Sequence, residues 1–346
     1  MKIGSKFIGE GRVYIIAELS GNHNQSFEIA SQTIHAIALT GADAVKLQTY
    51  TPDSITLNVN KPDFMTRHDG PWAGQTLYSL YQKAYTPWEW HAPLQAIALE
   101  CGLDFFSSPF DLTAVDFLAQ LDVPAYKIAS FEITDTPLID YTARQGKPII
   151  ISTGIADEAD IQLALDTCYR AGNHDVILLK CTSEYPALPE EVNLKTIPLL
   201  RSRFSVPVGL SDHSQESIVP LVAVGLGVVI IEKHVILDKS LGGVDSFFSL
   251  DIDEFKQMVD AVRYAEKTLG VASLALTPKI EKAKEGARSL YIVKNVKKGD
   301  LLTSKNLRSV RPGYGLHPRY YNELIGQRFA IDAEAGTRMS FSMISR

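Results

Sequence analysis

The sequence predicts an α/β fold, a (β/α)8 barrel followed by a small β-rich domain, and three observations carry that reading. Short apolar, β-branched runs recur eight times, with segments of helical length between them. Each run ends in polar residues, and past Gly270 the strand–helix alternation stops. Nearly continuous hydrophobicity marks strands buried on both faces, and helical crossovers are what parallel neighbours require. An open doubly wound sheet is the alternative, but it usually has fewer strands, and no GxGxxG turn follows the first run.

In chain order the runs are residues 13–18 (VYIIAE), 44–48 (AVKLQ), 104–108 (DFFSS), 125–130 (AYKIAS), 149–154 (IIISTG), 176–181 (VILLKC), 208–213 (VGLSDH) and 229–234 (VIIEKH). Helices are expected between them, among others over residues 26–40, 87–101, 113–121, 158–171 and 253–269. A first domain therefore covers residues 1–270 and a polar, lysine-rich linker covers 271–288. Residues 289–346 follow as a β-rich unit, with short strands near 289–293 and 307–311 and a turn at 297–300. A unit of roughly 60 residues is small to stand alone and is expected to pack on something larger.

The 346 residues carry a net charge of −6 and a pI near 5.8, with Lys and Arg dispersed, which argues against a nucleic-acid partner. Three cysteines, Cys101, Cys168 and Cys181, form neither an even disulfide set nor a close-spaced zinc pattern, as expected in a reducing compartment. The first residues lack the apolar stretch and cleavage site of a secretory signal, and no uncharged run reaches bilayer length. The expectation is a cytoplasmic protein with no membrane partner.

The strand ends place Glu18, Lys46, Gln48, Ser107, Ser108, Lys127, Ser130, Ser152, Lys180, Ser211, Asp212, His213, Lys233 and His234 at one mouth of the barrel. Barrel enzymes build their sites at that C-terminal face. A lone histidine is more often a satisfied core or loop residue, but His213 and His234 end adjacent strands, where two imidazoles can share a divalent cation. Such an open site suits a Lewis acid that polarises a carbonyl. Lys46, Lys127, Ser108, Ser130, Ser152, Ser183 and Ser211 supply cationic and hydroxyl donors for a ligand with carboxylate and phosphate groups. A Schiff-base lysine is the chemical rival. Glu18, Glu132, Glu184, Asp212 and Asp245 are the candidate general acids or bases, with a supporting or solvated role an equal reading for Glu184 and Asp212.

The motifs AELSGNHN (17–24), GADAVKLQTY (41–50), YKIASFE (126–132), KCTSEYP (180–186), GLSDHS (209–214) and IEKH (231–234) resemble, in order and spacing, the sialic acid synthase family. ARSLYIVKNVKKGD, from residue 287, and VRPGYGLHP (310–318) are similar to the antifreeze-protein-like (SAF) domain that ends those synthases. The resemblance implies condensation of phosphoenolpyruvate with an amino-sugar aldehyde, by C–C bond formation and C–O cleavage. It implies a divalent metal on His213 and His234, manganese favoured, with magnesium or cobalt as other candidates. Lys46, Ser108, Lys127, Ser130, Ser152, Ser183 and Ser211 match positions that hold phosphoenolpyruvate, and Glu132 is the candidate for activating water. Glu18, Tyr185 and Asp245 carry over as contacts to the acceptor or its new alkoxide. Arg311 carries over as a contact to the acceptor's acyl group, reached across a domain-swapped homodimer.

Within the family, TYTPDSITL (49–57), SSPF (107–110), Phe131, Lys180 and DSFFSLD (245–251) resemble the branch that takes 2,4-diacetamido-2,4,6-trideoxy-L-altrose and makes pseudaminic acid. The N-acetylneuraminate and legionaminate branches are the alternatives, followed by a Schiff-base aldolase and a non-catalytic sugar-binding barrel. Gln25 and the Gly242–Gly243 pair depart from the family pattern near the mouth and bear on acceptor identity, not on reaction type.

Overall fold

The computed structural model describes residues 1–67 and 70–345, which divide into two compact units, Met1–Gly270 and Val271–Arg346. In the first unit the barrel strands are β1 (Tyr14–Glu18), β2 (Ala44–Thr49), β3 (Asp104–Pro109), β4 (Tyr126–Ile128), β5 (Ile149–Ser152), β6 (Val176–Cys181), β7 (Val208–Asp212) and β8 (Ile230–Ile236). Each pairs in parallel with the next, and β8 pairs with both β7 and β1, which closes the sheet. Ile149, Ile150 and Ile151 are all fully buried, as expected of a strand covered by barrel interior on one face and helices on the other.

Around the barrel run α1 (Phe27–Ala38), α2 (Leu77–Ala84), α3 (His91–Glu100), α4 (Leu112–Gln120), α5 (Thr136–Ala143), α6 (Glu158–Arg170), α7 (Thr196–Phe204), α8 (Ile218–Gly225) and α9 (Ile252–Leu269). Their starts have local causes. The Asp111 carboxylate accepts from Thr113 N at 2.7 Å and Ala114 N at 3.1 Å, and Asp157 and Asp251 form capping boxes with Asp160 and Glu254. In α9 the buried Phe255, Met258, Val259 and Val262 recur at helical spacing and turn one stripe to the core.

Three strand or helix expectations shift. Residues 125–130 do not form one strand: β4 ends at Ile128, and Ser130–Glu132 is a 3-10 turn that swings Ser130 and Glu132 into the mouth. The last barrel strand runs on to Ile236 because its end pairs with Leu250–Asp251. The helix expected over 87–101 begins only at His91, preceded by a 3-10 turn at Trp88–Trp90. The long connection from β2 to α3 holds an additional helix, α2, capped by Thr76, whose side chain accepts from Ser79 N at 3.1 Å.

The opposite, N-terminal end of the barrel is tied by Asp43. Its carboxylate accepts from Ile15 N at 2.9 Å and from Arg263 Nη2 at 2.7 Å. Lys6, in a hairpin of Lys2–Ile3 and Lys6–Phe7, donates to the Asp43 carbonyl at 2.7 Å.

In the second unit, residues 271–288 are exposed throughout and include a short helix, Pro278–Ala283, continued by a 3-10 turn, Lys284–Gly286. After them β9 (Ser289–Ile292) and β10 (Leu307–Val310) pair antiparallel. Leu290, Ile292, Leu302, Leu307 and Phe329, all fully buried, form a separate small core. Arg311 follows β10 directly and is exposed.

Candidate active site

Side chains alternate along a strand, so residues two apart share a face. That period sorts the strand-end residues. Glu18, Lys46, Gln48, Ser108, Lys127, Ser152, Ser211, His213 and His234 point into one cavity of about 610 Å3, together with Ser130, Glu132, Ser183, Glu184, Tyr185 and Asp245 from the loops that follow. Ser107, Lys180, Asp212 and Lys233 do not line it. Ser107 bonds Thr49 Oγ1 at 2.7 Å behind the barrel wall, and the Lys180 ammonium donates to Cys181 O at 2.6 Å. Lys233 donates to Asp212 at 2.6 Å on the outer face, which makes both residues structural. Lys180 therefore does not border the cavity, whereas Phe131 does.

The floor of the cavity is a buried charge cluster. Lys46 contacts Glu18 and donates to Ser108 Oγ at 3.1 Å, and Glu232 lies 3.9 Å from Lys46 and 3.6 Å from Lys127. Burial lowers Lys46, but Glu18 and Glu232 outweigh it and hold the ammonium above its usual range. Glu18 is pushed up to about 7 by burial, with Glu232 adding to the rise and Lys46 opposing it. The shifts of Glu18 and Lys46 pull one contact in opposite directions; the charged lysine is the firmer of the two, because two carboxylates share it. Lys127 is lowered, by burial first and then by Lys46, against the pull of Glu232.

Glu232 is the residue that sequence reasoning missed. It stands two before His234 on β8 and so had to share its face, a signal readable from the spacing alone.

Hydroxyl donors surround the lysines. Ser183 donates to Ser130 at 2.8 Å, Ser130 accepts from Ile155 N at 3.2 Å, and Ser211 donates to Glu232 at 3.1 Å. The Ser152 hydroxyl and Glu132 Oε2 are buried with no partner. Gly154 closes this corner: a Cβ there would sit 2.1 Å from Ser183 Oγ and 2.7 Å from Ser130 Oγ. Unpaired buried polar atoms around a cavity mark a place built for a polar ligand. Glu132 itself is pushed up to about 7, chiefly by burial.

The two imidazole centroids lie 5.3 Å apart. His213 Nδ1 lies 2.8 Å from the Thr182 carbonyl, which fixes its proton on Nδ1 and leaves Nε2 with a lone pair. Burial lowers His213, but Cys181 and the Thr182 carbonyl raise it more, so the net shift is upward and a metal at Nε2 has to displace a proton more firmly held than usual. His234 is lowered well below the usual range by burial and by His213, and its Nδ1 is buried without a partner. Two such rings fit a divalent cation whose other positions are filled by water or substrate oxygens. No group of three or more His, Cys, Asp or Glu side chains among the described residues could hold a metal.

Above the histidines, Tyr185 packs on His213 at 4.5 Å and on Phe248 at 5.0 Å between centroids. Asp245 accepts from Ser20 Oγ at 2.5 Å, and Ser20 also accepts from Gln48 Nε2 at 2.9 Å. The loop after β1 laces this side together. Asn22 donates to Val235 O at 2.9 Å, Asn24 donates to Leu241 O at 3.0 Å, and Gln25 Nε2 donates to Tyr85 O at 2.6 Å, just past α2. Both departures from the family pattern thus have structural work. Gln25 ties the β1 loop to α2, and Gly243, at φ +141°, leaves no room for a Cβ, which would lie 2.8 Å from Asn24 Oδ1.

The cavity is lined by first-unit residues, and Arg311 belongs to the second unit. Glu184 is an exposed rim residue with Arg67 4.0 Å away.

Residues 33–273 match the model of the NeuB family and residues 287–345 that of the SAF domain. The pseudaminic acid synthase of Campylobacter jejuni subsp. jejuni serotype O:23/36 (strain 81-176) is 48% identical over 342 residues, 99% of each chain. The N,N'-diacetyllegionaminic acid synthase of Legionella pneumophila is 36% identical, over 96% of this chain and 94% of that one. Among solved structures, the N-acetylneuraminic acid synthetase of Leptospira borgpetersenii in complex with citrate superposes with a TM-score of 0.73 at 28% identity, covering 82% of this chain and 94% of that one.

Proposed function

The chain belongs to the NeuB family, and from that membership and the donor set of its cavity we infer that it condenses phosphoenolpyruvate with 2,4-diacetamido-2,4,6-trideoxy-L-altrose and water, giving pseudaminic acid and phosphate. It is an enzyme, a transferase that forms a C–C bond. The observation that carries the reading is the meeting, in one cavity, of two imidazoles with available lone pairs and a ring of lysines and unpaired hydroxyls.

Lys46 and Lys127 neutralise the carboxylate and phosphate of phosphoenolpyruvate, and Ser108, Ser130, Ser152, Ser183 and Ser211 donate to its oxygens. A divalent cation, manganese favoured, would be held by His213 and His234 and would polarise the acceptor aldehyde. Carbon 3 of the enol attacks that aldehyde carbon, whose oxygen takes up a proton. Water adds to the cationic carbon 2 as Glu132 removes its proton, and collapse to the ketone expels phosphate. Glu18, Tyr185 and Asp245 border the acceptor side and orient its hydroxyls.

The family resemblance further supports a domain-swapped homodimer, in which Arg311 reaches the partner's acceptor, and a cytoplasmic location. No helix among the described residues is long and apolar enough to cross a membrane.

The test is phosphate release by metal-reconstituted protein with three acceptors: the trideoxyaltrose, N-acetylmannosamine and the legionaminic precursor. Release with the altrose derivative alone, abolished in His213→Ala, supports the reading, and preference for another acceptor moves the branch. Lys127, lowered by burial, favours a Schiff-base aldolase as a second reading. Borohydride trapping of a lysine with pyruvate would establish that chemistry in place of the synthase.

A further inference from the structure

The helix α2 presents an apolar face to the cavity. Leu77, Leu80, Tyr81 and Ala84 all line it, and their spacing of three, four and seven residues is one face of a helix. Ile55 and Tyr50 continue the same wall, and the Tyr50 ring packs edge-on against Tyr81 at 5.6 Å. Apart from the Tyr81 hydroxyl and Thr66 and Arg67 of the preceding connection, the charged and hydroxyl-bearing residues of the lining come from the barrel strands and the loops that follow them. The cavity thus has a polar floor, which suits phosphoenolpyruvate, and an apolar side wall, which an anion would avoid.

The wall is held in place. Gln25 Nε2 donates to Lys83 O at 3.2 Å and to Tyr85 O at 2.6 Å, fixing the C-terminal end of α2, and Thr76 caps its start. Gly21 lets the β1 loop approach: a Cβ there would meet the Ala84 Cα and Cβ at 3.3 Å. Burial raises Tyr81 and the Glu132 charge adds to the rise, which places the wall within electrostatic reach of the proposed base.

We propose that this α2 face is the specificity element that accepts the 6-methyl end of a deoxy-sugar acceptor and disfavours the 6-hydroxymethyl counterpart. The proposal rests on the synthase reading above. A hydroxyl forced against Leu77, Leu80 and Ala84 finds no hydrogen-bond partner among these side chains and gives up its water. Apolar pockets reject an added hydroxyl only modestly, so the expected preference is on the order of 10- to 100-fold in kcat/KM.

The experiment compares kcat/KM for 2,4-diacetamido-2,4,6-trideoxy-L-altrose and for its 6-hydroxy analogue, by phosphate release from the full-length, metal-loaded enzyme. The variants are Leu77→Gln and Ala84→Ser, which bring a polar group to the wall with little change in volume, and Gln82→Leu on the exposed face of α2. Melting curves check that each is folded. The expected result is a preference that falls about tenfold in Leu77→Gln and falls in Ala84→Ser, with the ratio for Gln82→Leu equal to wild type. Wild-type turnover with a ratio that neither wall variant alters overturns the assignment of α2 and leaves the reaction standing. Failure of the wild type to release phosphate with either sugar overturns the synthase reading and this inference with it.

Discussion

Glu132 joins a buried carboxylate raised to about 7 to a position beside the lysine cluster, and two results follow from that. As a base it must be ionised, so kcat should climb as pH rises through about 7, and Glu132→Gln should lose about 100- to 10,000-fold together with that limb. A raised pKa in the folded state means that the native chain holds this proton more tightly than the unfolded one. Stability is therefore lost between the unfolded carboxyl value and about 7. Glu132→Gln should consequently unfold at higher denaturant at pH 8, by about 1–3 kcal/mol, with no gain at pH 4. For the histidines, removal of metal by a chelator, or His234→Ala, should cost several kcal/mol of barrier, about a thousandfold or more in rate, and metal analysis should show the variant depleted. Most of these residues were legible because polar groups at the ends of apolar strands have few structural uses. Ser107, Lys180, Asp212 and Lys233 stand at strand ends but do not line the cavity, which position at a strand end alone does not reveal. The period of two that removes them also finds Glu232.

Barrel strands and the longer helices could be read from periodicity, since a strand buried on both faces writes itself as an unbroken apolar run. The helix α2 could not. Its eight residues lie in a connection rich in Gly, Pro and Trp, and its apolar face is turned to a cavity and not to the core, so only Leu80 of that face is buried. Strand β4 shows the opposite failure, where apolar continuity through Ala129 hid a turn that the site requires. Because α2 depends on its cap, Thr76→Ala should cost about 1 kcal/mol locally. In kinetics this should raise KM for the acceptor while KM for phosphoenolpyruvate stays near wild type, and a parallel rise in both would separate α2 from acceptor binding.

At the scale of the whole molecule the two units differ sharply in charge. Residues 271–346 carry fourteen Lys or Arg against six Asp or Glu, a net of +8, which leaves −14 on residues 1–270. Opposite charges of this size favour association between such units and make it sensitive to salt. If Arg311 serves the partner's site, mixing inactive His213→Ala with Arg311→Ala should restore activity, because one site of each hybrid dimer has an intact barrel and an intact Arg311. Restoration should fall with increasing salt, and no recovery at any ratio would place Arg311 outside the partner's site. The pI of 5.8 is then an average that neither half possesses. A single protease cut in the exposed stretch of residues 271–288 should yield fragments that, once parted, leave a charged column in opposite order, the larger held by an anion exchanger and the smaller by a cation exchanger.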